Sequence, residues 1–135
     1  MGCADSSKAQ AGIEYMVIVG AIIFMSAIVF FYSLIYSNNS LSISKASESA
    51  EAVAEAIDYA YSLGQGTQTV VTIDLPGNVE SASVGDYEVV FVLVTNTGKN
   101  EVIASTTTDA SGTLPTGEGL HQILVNNTGT GVVVG

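Results

Sequence analysis

The sequence predicts an α+β protein in which one long N-terminal α-helix packs against a small antiparallel β-sheet domain. Residues 10–63 carry helical periodicity, whereas residues 65–135 are rich in Gly, Thr, Val and Asn and alternate in the manner of β-strands. A chain of 135 residues is long enough for one compact domain and one long helix, but too short for two full domains.

Four segments are expected along the chain. Residues 1–9 form a short polar leader, and residues 10–36 form an apolar helix. Residues 37–64 continue that helix as an amphipathic segment, and residues 65–135 form the β-domain. The polar pair Asn38-Asn39 is the expected place for a bend or break between the two helix halves.

The apolar helix has the length of a membrane span. From Met16 to Ile35 there are twenty residues without a charge, and twenty residues at helical rise cover about 30 Å, the thickness of bilayer hydrocarbon. A buried core helix is the alternative, but a chain this short can hardly surround such a helix on all sides. An ordinary secretory signal is disfavoured, because the apolar run is too long and no small-residue cleavage site follows it.

The second half of the helix is predicted to be amphipathic. Its apolar residues recur at three- and four-residue spacing, and acidic residues fall mainly on the other side, which predicts one face packed against a partner. Gly64 and Gly66 supply a stop, because glycine accepts the left-handed conformation past a helix end. The apolar stripe consists of Ala46, Ala50, Val53, Ala54, Ile57, Ala60 and Tyr61.

Five or six short strands are expected in the β-domain, packed on this stripe. Residues 87–94 are strongly apolar and β-branched, which predicts a central strand. Residues 76–78 and 96–100 have turn composition, and residues 109–119 read as a polar loop. The predicted strands are 69–75, 79–84, 87–94, 101–107, 120–125 and 131–134.

Charge composition excludes several partners. The chain has three Lys, no Arg and thirteen acidic residues, for a formal net charge of −10. No nucleic-acid partner is expected, because phosphate binding requires clustered Lys or Arg. Docking on anionic lipid through a basic patch is excluded for the same reason.

The lone cysteine, Cys3, cannot form an internal disulfide.

No catalytic, cofactor or metal site is expected, and the chain is predicted not to be an enzyme. His121 is the only histidine, and the spacing of its neighbours suggests neither a nucleophile nor a metal partner, so it is expected on a sheet surface. The acidic residues form no calcium-loop pattern, and the glycines form no phosphate loop.

Two tripeptides match the N-glycosylation acceptor pattern, and they place candidate glycans on Asn38 and Asn126. Such tripeptides also arise by chance, and an extracellular location would favour their use.

The N-terminal residues 1–6 fit a myristoylation pattern. A lipid on a leader that is expected to be removed would serve no purpose.

The junction Lys8-Ala9-Gln10-Ala11-Gly12-Ile13-Glu14-Tyr15, followed at once by an apolar helix, resembles the class III signal peptide of archaeal type IV pilins. The resemblance implies that a membrane prepilin peptidase cuts between Ala9 and Gln10. Gln10 then becomes the new N-terminus. Glu14, four residues further on, stands where the wider pilin family carries its glutamate.

The resemblance implies a structural subunit of an archaeal adhesion pilus on the cell surface. Its partners are the membrane before assembly, the peptidase and assembly machinery, and then other copies of itself in a helical filament. Gln10 and Glu14 are the expected assembly residues, with the Glu14 carboxylate paired to a neighbour's new N-terminus. The alternative for Glu14 is an unpaired side chain that reaches the headgroups. Small residues are expected to allow close helix approach, namely Gly12, Gly20, Ala21, Ser26 and Ala27.

Two alternatives stay open. Within the filament class, the chain can be a minor pilin or an archaellin, although Gln10 and Glu14 fit the adhesion-pilin signal better. From a different class, it can be a monomeric single-span surface protein that keeps residues 1–9 and binds a ligand through its β-domain.

Overall fold

A computed structural model describes the backbone of residues 2–135 and the side chains of residues 6–135. The myristoylation pattern and Cys3 therefore lie outside the residues whose side chains are described. Helix α1 spans Gly2–Leu63 and is followed by seven strands, in agreement with the predicted α+β class. The strands are β1 (Gln68–Leu75), β2 (Val79–Gly85), β3 (Glu88–Thr95), β4 (Gly98–Ser105), β5 (Ala110–Gly112), β6 (Gly119–Asn127) and β7 (Val132–Val134).

Helix α1 begins at Gly2 and not at Gln10, so the predicted start was too late. The cause is composition, because residues 3–9 contain neither glycine nor proline, the two residues that most disfavour a helix. The helix continues without interruption through Asn38-Asn39, and residues up to Asn38 and residues 39–135 form two compact units. The predicted stop is confirmed, since Gly64 follows the last helical residue with a φ of 93°.

The sheet has seven strands in the order β1-β6-β7-β5-β2-β3-β4. All neighbours are antiparallel except β5 and β7, which run parallel. The prediction of five or six strands in a purely antiparallel sheet was therefore wrong. The missed strand, β5, lies inside residues 109–119, which read as a polar loop. Three residues are too few to show strand alternation, and the pairing of β5 depends on β2 and β7, which are distant in sequence.

The other strands lie within three residues of their predicted bounds. Strand β3 pairs with β2 on one side and β4 on the other, so the prediction of an internal strand is confirmed. Strand β4 begins at Gly98, earlier than predicted, because Thr95 pairs with Gly98 and leaves only Asn96 and Thr97 in the turn. The β2–β3 turn is equally tight, and Asp86 and Tyr87 adopt φ values of 51° and 65° there.

The amphipathic half of α1 packs on the inner face of the sheet. Ala46, Ala50, Val53, Ala54, Ile57 and Ala60 are all buried, as the stripe predicted. They share one core with side chains from the strands, including Phe91, Leu93, Ile123 and Val125. Tyr61 was also assigned to the stripe, but it is 54% exposed. The phenol of Tyr61 is amphipathic, and at the end of a helix it can keep its hydroxyl group in water.

Side chains of α1 form hydrogen bonds with edge strand β1 and with the segment that directly follows edge strand β4. At the β1 edge, Ser49 Oγ donates to the carbonyl oxygen of Asp74 at 2.9 Å. At the β4 edge, the backbone N–H of Thr107 donates to Asp58 Oδ1 at 2.8 Å. The sheet therefore curls around the helix between Ser49 and Asp58. Near the helix end, the buried Asn127 donates from Nδ2 to the carbonyl oxygen of Ala60 at 3.1 Å.

The β5–β7 pairing requires glycine at position 112. Gly112 has a φ of 145°, and a Cβ atom there would lie 1.8 Å from the carbonyl oxygen of Val134. We expect Gly112→Ala to destabilise the β-domain by more than about 1–3 kcal/mol, the usual cost of a strained backbone alone. Native-state hydrogen exchange of the β6 and β7 amides, measured on the full chain in detergent, provides the test.

Gly131→Ala is the matched control, because the nearest atom to a Cβ at this position is the carbonyl oxygen of Asp109 at 3.8 Å. The control should leave the exchange rates within the range of ordinary surface substitutions. Equal protection in the two variants would contradict the close approach of β5 to β7.

Candidate functional site

Residues 13–36 of α1, called here the apolar helix segment, expose their side chains in every direction. Val19 is half-buried, and exposure of the other large apolar residues runs from 40% at Ile28 to 78% at Tyr36. The most apolar eighteen-residue window of the helix has none of its residues buried. The segment has no polar face, so it differs in kind from the amphipathic half that follows.

Such a surface requires a covering environment. Moving a large apolar side chain out of water is worth roughly 1.5–3 kcal/mol, and soluble monomers rarely expose contiguous apolar patches of this extent. In the described part of the chain, α1 is the one helix long and apolar enough to cross a membrane, judged by length and composition. A long apolar N-terminal helix of this kind suits a membrane anchor or a signal sequence.

The predicted processing and assembly residues lie on exposed helical turns at the start of this segment and just before it. Ala9, Gln10 and Glu14 are all helical and exposed. Gln10 and Glu14 are one turn apart, a rise of about 6 Å along the helix axis. Among the residues whose side chains are described, none forms a hydrogen bond or ion pair with the Glu14 carboxylate.

Gly12, just before the segment, and Gly20, inside it, pack against no side chain of their own chain. A Cβ atom added at Gly12 or Gly20 would meet no atom within 4 Å. Ser26 donates its hydroxyl proton to the carbonyl oxygen of Ile22 at 2.8 Å, so this polar group is satisfied inside the helix. Small side chains at these positions leave the backbone open to close approach by another helix.

The two glycosylation candidates both lie in regular secondary structure. Asn38 is exposed on α1, at the end of the first compact unit. Asn126 is half-buried in β6, opposite Gln68 of β1 and Val133 of β7. The hydroxyl group of Thr128, which completes the second tripeptide, donates to the carbonyl oxygen of Gly131 at 3.0 Å. The use of either site stays a prediction.

His121 lies in β6, as predicted, and its Nε2 atom is 2.8 Å from the carbonyl oxygen of Gly117. No group of three or more His, Cys, Asp or Glu side chains suited to a metal ion occurs among the described residues.

A groove of about 280 Å³ lies between α1 and β1, near the low end of the size range of ligand sites. Its lining includes Lys45 and Asp74, whose charged groups are 2.8 Å apart. The hydrogen bond from Lys45 to Asp74, followed by their charge attraction, raises the pKa of Lys45 above its ordinary value of 10.5. Both side chains are more than 40% exposed, so the pair contributes little to stability.

Three polar contacts of the β-domain were missed by the sequence analysis. Asp58 was read only as part of a solvent-facing acidic row, yet it accepts hydrogen bonds from both the N–H and the hydroxyl group of Thr107. Asn127 was read only as part of a glycosylation tripeptide, and the Lys45–Asp74 pair was not foreseen. Each contact joins residues far apart in the chain, and no local spacing pattern reports such a pair.

Comparisons with protein family models, with curated protein sequences and with solved structures find no match to this chain.

Proposed function

We propose that this chain is the precursor of a structural subunit of a type IV pilin-like filament, of the archaeal adhesion-pilin type. The observation that carries the proposal is the exposed apolar helix segment, which begins three residues after Gln10 and has Glu14 at its start. A candidate peptidase site, an acidic residue one turn later and a bilayer-length helix follow one another without a gap. This order resembles the N-terminal region of archaeal pilins.

In this proposal the apolar helix segment has two successive environments. Before processing it lies in the membrane as an anchor, and after processing it lies among the same segments of other copies. Burial of roughly 20 apolar side chains at about 1.5–3 kcal/mol each makes the filament very stable against dissociation into water. Lipid tails are as apolar as the partner helices, so the transfer from membrane to filament gains little from this term. An assembly machine must therefore drive extraction.

Glu14 specifies the register between subunits. Cleavage before Gln10 creates an ammonium group one helical turn from Glu14, and the same pair of groups is present on every copy. A carboxylate inside an apolar helix bundle is costly unless an opposite charge meets it. Pairing of Glu14 with the new N-terminus of a neighbour removes that cost only in the correct register, so a misplaced subunit is rejected.

The small residues suit close packing of these helices. Gly12 and Gly20 have no neighbour within their own chain that excludes a larger side chain, and Gly costs about 1 kcal/mol of helix stability relative to Ala. Contact with a second helix offers a compensating gain, because a residue without a Cβ atom lets two backbones approach each other.

The second candidate is a monomeric single-span surface protein that keeps residues 1–9. The groove beside Lys45 and Asp74 is the observation that favours it, since a ligand-binding β-domain needs such a concavity. A minor pilin or an archaellin is the alternative within the filament class. Two properties distinguish the single-span protein from the filament subunits: it keeps its leader, and it does not polymerise.

We expect the surface-exposed form of the protein to begin at Gln10 and to form filaments. Intact-mass measurement of material sheared from cells, together with electron microscopy of the same fraction, provides the test. Ala9→Leu should retain the leader, because a bulky side chain at the cut does not suit a peptidase that acts after a small residue. Ala4→Leu is the control and should be processed normally. A mature chain that starts at Met1 without filaments would exclude a pilin.

We expect Glu14→Ala to lower filament yield more than about tenfold, because loss of one partner of a buried charge pair costs about 3–5 kcal/mol. Leader removal should continue, since the cut lies a full turn away. Quantification of sheared filaments and of processed protein in the membrane gives both readouts. Asp109→Ala is the control, because Asp109 is an exposed carboxylate of the β-domain that belongs to neither edge strand. Normal yield in Glu14→Ala would remove the pairing argument.

A further inference from the structure

The curled sheet has two edge strands, β1 and β4, and the backbone of each edge is partly open. In β1, the carbonyl group of Asp74 points away from β6, because it accepts a hydrogen bond from Ser49. Backbone groups alternate in direction along an antiparallel strand. The N–H and C=O groups of Gln68, Val70 and Thr72 therefore also point away from the sheet.

The same alternation defines the open edge of β4. The N–H group of Thr106 donates to the carbonyl oxygen of Tyr87 on the β3 side, and that of Thr107 donates to Asp58 of the helix. Because backbone groups alternate in direction along the strand, every second residue counted back from Thr107 faces the open side. These residues are Ser105, Ile103, Glu101 and Lys99, and all four expose their side chains.

The two edges run in opposite directions. Between β1 and β4 the sheet contains five antiparallel pairings and one parallel pairing. An odd number of reversals makes β1 antiparallel to β4. Two copies with the same polarity, placed side by side, therefore bring β1 of one against β4 of the other in the antiparallel orientation. No copy has to be inverted.

We propose that β4 of one copy pairs with β1 of the next copy, with Val70 opposite Ile103, so that the sheet continues between subunits. The inference rests on the proposed function for the common polarity of the copies. Val70 is 59% exposed and Ile103 is 54% exposed, and both belong to the set whose backbone groups face the open edge. The pair therefore exchanges backbone hydrogen bonds while its side chains meet on one face.

Charge selects this register. With Val70 opposite Ile103, Asp74 faces Lys99, Thr72 faces Glu101 and Gln68 faces Ser105. A slip of two residues in one direction places Asp74 opposite Glu101, and the opposite slip places Val70 opposite Glu101. The first slip sets two like charges against each other, which destabilises a strand pair, and the second loses the apolar contact.

The groove beside β4 also suits β1 as its occupant. Glu51, Glu55 and Asp58 line it together with Ile103 and Ser105, for a volume of about 320 Å³. An acidic segment would be repelled there, whereas residues 68–72 carry no charge. The existing ion pairs Lys45–Asp74 and Lys99–Glu80 are solvent-exposed, so they bind weakly and leave Asp74 and Lys99 able to meet across the interface.

The contact joins two different surfaces, so it is heterologous. Heterologous contacts that do not close into a ring generate open helical assemblies. Each subunit then contributes one β1 edge and one β4 edge, and the sheet continues from one subunit to the next. This arrangement also covers the edge strands, which are otherwise sites of uncontrolled pairing.

Disulfide cross-linking of sheared filaments tests the register. The full-length precursor would carry Cys3→Ser, which removes the only native cysteine, together with Val70→Cys and Ile103→Cys. A hydrogen-bonded antiparallel pair has Cα atoms about 5.5 Å apart, within the range of a disulfide. After oxidation with diamide, we expect a ladder at multiples of the subunit mass on a non-reducing gel. Filaments assembled from a mixture of two chains, one with Val70→Cys alone and the other with Ile103→Cys alone, should give cross-linked dimers and no larger species.

Val70→Cys with Ser83→Cys is the matched control, since Ser83 lies two strands in from Ile103 and the proposed register separates it from Val70 by about 14 Å. It should give no ladder. Filaments that form normally but yield no Val70–Ile103 ladder would overturn the edge pairing and leave the polymerisation proposal intact. A ladder of equal strength in the control, or dimers from Val70→Cys alone, would also overturn it. Failure of the unmodified chain to form filaments would overturn both proposals.

Discussion

An apolar helix with no polar face cannot remain in contact with water, and this constraint governs the rest of the molecule. Residues 13–36 expose large side chains on nearly all sides, and no other element of the described residues covers them. A membrane, or a bundle of identical helices, satisfies the constraint. The proposed roles of Glu14 and of a cut before Gln10 depend on this constraint, because an unpaired charge is costly only where water is excluded.

The β-domain meets a different requirement, because it packs on the second half of α1, which has one apolar face and one polar face. Its core is formed by small residues on α1, such as Ala46, Ala50 and Ala60, facing larger strand residues such as Phe91. Small helix residues let the curled sheet approach the helix closely. The edge contacts of Ser49 and Asp58 then hold the sheet on both sides of α1.

The assembly residues and the sheet edges act at different levels of the proposed filament. Burial of the apolar helix segment supplies most of the free energy, but it is largely non-directional. Direction comes from charges and hydrogen bonds: the Glu14 carboxylate in the core, and the antiparallel pairing of β1 with β4 outside it. Glu14 and the two edge strands lie in separate parts of the chain, so either can be altered by mutation while the other is kept.

Local patterns in the sequence determined both halves of the helix, the glycine stop at Gly64 and most strand bounds, because period and turn chemistry are properties of neighbouring residues. They also pointed to the candidate residues Gln10 and Glu14, because a motif of residues close together in the chain can be recognised without knowledge of the fold. Only the tertiary structure decided strand β5, the parallel β5–β7 pair, the exposure of Tyr61 and the contacts of Asp58 and Asn127. These features depend on residues far apart in the chain, brought together when the sheet curls around the helix, and periodicity along the chain carries no information about such pairs.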